Sequence, residues 1–287
     1  MWTMVLVTIV CMTTTSAVLA EVCSALPVSG SIYVWAAAAA GKKYGRLVGF
    51  IVGWFCCTAW MTFAAGNCQT TANYLLSLLW VYEVDYPGGL DITNVKLRVL
   101  VWGVSECLLL VVVALNYLPP RAYSWVFKGS MLLMAVDFVI CLVWLPIGAS
   151  RTYGIRTAAE ALLTTHNGTG HVAGWNWLLV LIYATGNSIG WDASGHVAEE
   201  TIDASRVASR GMFWSCLVSS SSAFLATILF LFVTPDIATW ETLTAPQPFV
   251  QVYALAFGKG GATFMTVLAV VGLSAFAPPA PAPLCQV

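Results

Sequence analysis

Asp192 stands where a carboxylate can do chemistry. It lies in Thr185-Gly-Asn-Ser-Ile-Gly-Trp-Asp-Ala-Ser-Gly-His-Val-Ala-Glu-Glu200, inside or at the end of an apolar segment that begins near Trp175. An ionisable side chain at membrane depth is costly and marks a functional site by default. Gly186, Gly190 and Gly195 interrupt what would otherwise be a membrane helix. Non-helical backbone at that depth survives only where it is buried in protein or lines a water-filled cavity. Half-helices meeting at such a break point their dipole ends at a small solute, a common device for moving solutes across membranes. The chemistry expected is recognition rather than bond making. Asn187, Ile189, Gly190, Trp191 and Asp192 are the candidate solute-binding residues. The face of Trp191 over a cationic amine would contribute about 0.5–2 kcal/mol. Plain packing stays open for Trp191, as does N-capping of the inner half-helix for Asp192.

Two further carboxylates, Glu106 and Asp137, fall inside apolar runs. Each can pair with a neighbouring helix or, like Asp192, serve as a proton-coupling site. His196 reads as a polar residue near the cytoplasmic mouth, and His166 and His171 are loop residues without metal-ligand spacing. There is no nucleophile motif, phosphate loop or zinc motif, so no enzyme, cofactor or metal site is expected. The nine cysteines form no CxxC pair and mostly lie in apolar runs, where they read as small buried hydrophobes.

The elements that must position these residues are set by composition. Only 9% of the 287 residues are charged and 59% are hydrophobic, with a mean hydropathy of +0.83. A soluble domain carries about 25% charged residues, so this chain belongs in lipid. A net charge of −1 gives no case for nucleic acid. The expected architecture is all-α, a transmembrane bundle of about seven spans near residues 1–20, 47–81, 99–118, 130–147, 175–197, 212–233 and 261–276. Residues 1–20 keep two readings. They form either a span or a signal peptide cleaved after Val18-Leu19-Ala20, and the lack of a positive start favours the span. Residues 47–81 are too long for one perpendicular crossing and suit a tilted helix. Pro27 and Gly30 break the chain after the first run. Ser219 to Ser222 read as packing, and the Pro/Ala-rich residues 277–287 as a disordered tail.

Basic residues set the orientation. Seven (Lys42, Lys43, Arg46, Arg121, Lys128, Arg206, Arg210) fall on one side and five (Lys96, Arg98, Arg151, Arg156, Lys259) on the other. The first set is placed in the cytoplasm. Asn167-Gly168-Thr169, a glycosylation sequon, then falls outside.

Several stretches have relatives in form. Ala20-Glu-Val-Cys-Ser-Ala-Leu-Pro-Val-Ser-Gly-Ser-Ile-Tyr-Val-Trp35 resembles the AE(L/I)CSAYPTSGGLYYW stretch after the second helix of fungal amino-acid permeases. These belong to the amino acid–polyamine–organocation superfamily, in the branch with GABA and choline permeases. Gly45 to Phe55, with Gly53-Trp54, looks like the start of that family's third helix. Gly190-Trp-Asp-Ala-Ser-Gly-His-Val-Ala-Glu-Glu200 is similar to its GYDAAAHMAEE, and Ala208-Ser-Arg-Gly-Met212 to its APRGI. The resemblance covers roughly residues 1 to 275.

It implies a partial LeuT-like inverted-repeat fold that lacks the family's first helix and last four, a chain truncated at both ends. It also implies a proton-coupled carrier of an amino acid or related amine (GABA, choline, a polyamine) working by alternating access around 186–195. The plasma membrane is the expected location, with the vacuolar membrane as the alternative. By motif, Gly190 would lie in unwound backbone, Trp191 would cover the substrate, and Asp192 would meet its ammonium or a proton. A transport-incompetent fragment is the alternative reading. A seven-helix receptor is a weaker one, since the chain has no Asp-Arg-Tyr or Asn-Pro-x-x-Tyr motif.

Overall fold

The computed structural model describes residues 1–115 and 117–276. The tail expected at 277–287 lies outside the described residues. Helices account for nearly all of the regular structure, in the order α1 (Trp2–Ala25), α2 (Ser31–Ala39), α3 (Gly41–Val81), α4 (Val95–Leu115), α5 (Pro120–Arg151), α6 (Ala158–Leu162), α7 (Ala173–Gly186), α8 (Ala193–His196), α9 (Ala204–Val233), α10 (Ile237–Glu241) and α11 (Pro248–Phe276). A 3-10 turn covers Ala198–Glu200.

Among the described residues, six helices are long and apolar enough to cross a bilayer: Trp2–Ala25, Gly41–Val81, Val95–Leu115, Ser124–Arg151, Ala204–Val233 and Pro248–Leu273. The expected fifth span, 175–197, is divided between α7 and α8 by a non-helical stretch. Several helices outrun the apolar windows that mark them. α3 starts at Gly41 and takes in Lys42, Lys43 and Arg46, because charged residues leave the membrane without ending a helix.

Helix α1 shows how such a sequence settles in lipid. Its 24 residues rise about 36 Å, enough for a hydrocarbon core of about 30 Å. The hydroxyls of Thr8, Thr14 and Thr15 each donate to the carbonyl four residues back, at 2.8–2.9 Å. These three hydroxyls are thereby satisfied inside the helix, as a medium without water favours. Pro27 follows directly after the capping Leu26, and a proline restricts the residue before it to extended backbone.

The chain divides into two compact units. The first holds Met1–Ala59 and Ala158–Leu231. Its core gathers Ala20 and Cys23 from α1, Trp35 from α2, Trp191 and Ala198 from the segment after α7, and Ala208, Met212 and Cys216 from α9. The second holds Trp60–Thr157 and the described residues from Phe232 onward. There α5 packs along α11, with Trp144 stacked on Phe257 at 4.1 Å between ring centroids. α11 is itself divided at Gly258, whose φ of 73° and ψ of 177° are not helical.

Candidate functional site

The interruption in the first unit is built by residues 187–192. Helix α7 closes with the Asn187 and Ser188 amides donating to the Tyr183 and Thr185 carbonyls. Gly190 then takes a φ of 86°, a left-handed conformation that glycine adopts without steric cost. The chain resumes helical form at Ala193 for a single turn, α8. Ser188, buried at the break, has its hydroxyl 3.0 Å from that of Ser220 on α9. One member of the serine run thus joins the interruption to its neighbour.

The three glycines of the motif serve different ends. Gly190 supplies the backbone turn. Gly195 supplies space, because a Cβ there would sit 2.5 Å from the Ser31 hydroxyl oxygen and 3.4 Å from the Trp35 ring. Gly186 is the last residue of α7, and a Cβ there would meet nothing within 4 Å. The expected three-glycine interruption is therefore one glycine turn and one close approach.

Trp191 is 9% exposed and packs in the core with Trp35, Met212 and Cys216. Asp192 occupies the N-cap position of α8 but makes no capping hydrogen bond. Its Oδ2 lies 3.6 Å from His196 Nε2, beyond hydrogen-bond length yet close enough for an ion pair when the imidazole is protonated. Asn187 and Ile189 are exposed and Gly190 is half-buried.

A second layer anchors this segment to the turn between α1 and α2. His196 Nδ1 is 3.1 Å from the Ser29 carbonyl oxygen. Glu199 accepts the Ser29 amide proton at 3.0 Å, which holds its carboxyl below the usual range. Trp35 donates its indole N–H to the Leu26 carbonyl at 2.9 Å. Residues 26–35 and 191–199, two stretches singled out separately in the sequence, are thus one packed assembly. Sequence reasoning missed that pairing, together with the Ser188–Ser220 contact. Both stretches carry serine and tryptophan, and only the second carries histidine and glutamate, which was all the signal available.

Glu106 and Asp137 belong to the second unit. Glu106 lies on α4 and is exposed beside a cavity shared with α3. Asp137 lies on α5 and is half-buried, and its Oδ1 has no hydrogen-bond partner among the described residues. Asn167 is exposed between α6 and α7, with its side-chain amide donating to the His171 carbonyl at 2.5 Å.

Long apolar helices, together with an interrupted segment that brings buried Ser188 and Trp191 beside half-buried Asp192, define a multi-pass integral membrane protein. The amino acid permease family matches residues 1–277, and the chain belongs to that family. The family is one of permeases, and the relatives that follow are named as transporters or permeases. The thiamine transporter thi9 of Schizosaccharomyces pombe is 40% identical, over 94% of this chain and 50% of its own length. The amino-acid permease BAT1 of Arabidopsis thaliana is 25% identical, over 88% of this chain and 50% of its own. A putative amino acid/polyamine transporter of Macrophomina phaseolina is 23% identical, over 89% and 54%. The chain spans about half the length of these curated relatives. No solved structure matches it.

Proposed function

We propose that this chain forms part of a secondary transporter that carries a small nitrogenous solute across a membrane. Transport proceeds by alternating access around the interruption at 186–195, with proton coupling. The observation that carries the reading is the unwound segment 187–192, turned at Gly190 (φ 86°) and ending on Asp192, with its carboxylate 3.6 Å from His196. Unwound backbone of this kind accommodates a solute in membrane carriers. Asp192 is the group for a cationic nitrogen or a coupling proton. Glu106 and Asp137 are further candidates for the proton, and Asn187, Ile189 and Gly190 complete the solute-binding residues. Trp191, held in the core, acts by fixing the break, and an indole face turned to a cation requires that segment to move.

The solute class includes amino acids, GABA, choline and polyamines. The 40% identity to a thiamine transporter adds thiamine, which shares the cationic nitrogen that a carboxylate and an indole favour. The plasma membrane is the proposed location.

The test is uptake of labelled thiamine, choline and 4-aminobutyrate by cells that lack their own carriers and express the chain. Wild-type protein is expected to accumulate at least one of them. Asp192→Asn is expected to cut uptake about tenfold or more, the loss of a charge-assisted contact, at equal membrane abundance. Unchanged uptake in the variant would remove Asp192 from the site, and no uptake by inserted wild-type protein would overturn the reading.

A further inference from the structure

The second unit contains a cavity that the interrupted helix does not explain. It measures about 530 Å³ and lies between the C-terminal half of α3 and α4, with Pro246 at its edge. Arg98, Trp102 and Glu106 all line it from α4. They stand at i, i+4 and i+8, on one face of the helix, and rise about 12 Å from first to last. Gln69 and Asn73 line it from α3, one turn apart. Among the described residues, none of the side chains of Arg98, Glu106, Gln69 and Asn73 has a hydrogen-bond or ion-pair partner. Ser105, also at the wall, is already committed by donating to the Val101 carbonyl at 2.8 Å.

We infer that this cavity is a binding site for a zwitterion, separate from the interruption at 186–195. Arg98 and Glu106, both exposed at its wall, carry opposite charges about two helical turns apart and form no ion pair with each other. An anion would pair with Arg98 and leave Glu106 uncompensated, and a cation would do the reverse. A zwitterion satisfies both through charge-assisted hydrogen bonds. The amides of Gln69 and Asn73 each donate and accept, so they serve either end. The indole of Trp102, between the charges, offers a face to the linking chain.

The separation selects among zwitterions. About 12 Å of rise accommodates a contact of about 3 Å at each end and leaves a gap of several bonds between amine and acid. That fits an ω-amino acid or the headgroup of an aminophospholipid better than an α-amino acid. Both sources present the same chemistry, an ammonium group linked to an anion.

The test uses the full chain, purified in detergent, with labelled 4-aminobutyrate as the probe. Binding is expected to be about tenfold tighter than that of butyrate or butylamine, each of which satisfies one end only. This comparison needs no mutation. Arg98→Gln and Glu106→Gln are each expected to weaken binding by about the same factor. The exchange R98E/E106R is expected to recover it, since a zwitterion can reverse its direction.

The two sources separate in nanodiscs. If the occupant is a lipid headgroup, phosphatidylethanolamine displaces 4-aminobutyrate where phosphatidylglycerol does not, and its adducts seen by native mass spectrometry disappear in both single variants. If the occupant is a free solute, the two lipids give equal binding of the probe. Equal affinity for 4-aminobutyrate, butyrate and butylamine would overturn the inference. So would binding kept in both single variants but lost in Asp192→Asn, which would place the solute at the interrupted helix.

Discussion

Gly195→Ala tests whether the half-helix after the break is held by close approach. The added Cβ would lie 2.5 Å from Ser31 Oγ, 3.3 Å from Ser31 Cβ and 3.4 Å from the Trp35 ring. The first contact can be relieved, because Ser31 Oγ has no hydrogen-bond partner among the described residues and its side chain can rotate. The second cannot be relieved in this way, since Cβ does not move with χ1. Trp35 is also fixed, being 5% exposed and bonded to the Leu26 carbonyl. The segment must shift by a few tenths of an ångström, an overpacking that costs about 1–3 kcal/mol.

Ser31→Gly supplies the internal control. It removes both opposing atoms and suits the φ of 46° that Ser31 adopts, a left-handed geometry costing about 1–2 kcal/mol for residues with a Cβ. The two substitutions should therefore be non-additive, with a coupling energy of about 1 kcal/mol or more. The assay is reversible unfolding in mixed micelles, followed by far-ultraviolet circular dichroism, for wild type, both single variants and the double variant. A Gly195→Ala protein within about 0.5 kcal/mol of wild type would refute the reasoning, as would strict additivity with Ser31→Gly.

The remaining predictions concern residues outside the spans. The Tyr153 hydroxyl donates to the Val233 carbonyl at 2.7 Å, and burial pushes its pKa up to about 12 from an ordinary 10.0. The folded state then holds this proton more tightly than the unfolded chain. Its contribution is whole below pH 10 and is lost as the pH rises through about 12. Tyr153→Phe should cost about 1 kcal/mol at neutral pH and flatten the decline in unfolding free energy across that alkaline window. A decline identical to wild type would exclude Tyr153 as its source. In a host with a secretory pathway, Asn167 should carry a glycan removable by endoglycosidase and absent in Asn167→Gln. A single band unaffected by the enzyme, from inserted protein, would count against placing that loop outside.

How far the fold could be read from the sequence follows from what lipid demands. A span must be apolar for about 20 residues, so the long runs declare themselves. Apolarity marks the bilayer, however, and not the ends of the helix. Lys42, Lys43 and Arg46 close the apolar window yet continue α3 back to Gly41. Pro120 likewise opens α5 ten residues before the window expected from Ser130, because proline fits the first helical position, where its missing N–H is not needed. The short helices α6 and α10, of 5 residues each, carry too little periodicity to be read.

The site shows the complementary limit. That the chain breaks near residue 190 was legible, since three glycines and an aspartate within an apolar segment leave few alternatives. Which glycine turns the backbone could not be read from spacing, which does not distinguish a residue that needs positive φ from one that needs room for a neighbour; the family motif pointed to Gly190, and its φ of 86° agrees. Gly195 needs room for Ser31, 164 positions away in a sequence whose numbering gives no sign of it. The same holds for His196 and Glu199, which meet the backbone of Ser29 from 167 and 170 residues away. These contacts alter the meaning of Asp192. Its carboxylate lies 3.6 Å from a histidine fixed from behind by a backbone carbonyl, so Asp192 is tied through His196 to the turn at residues 26–31.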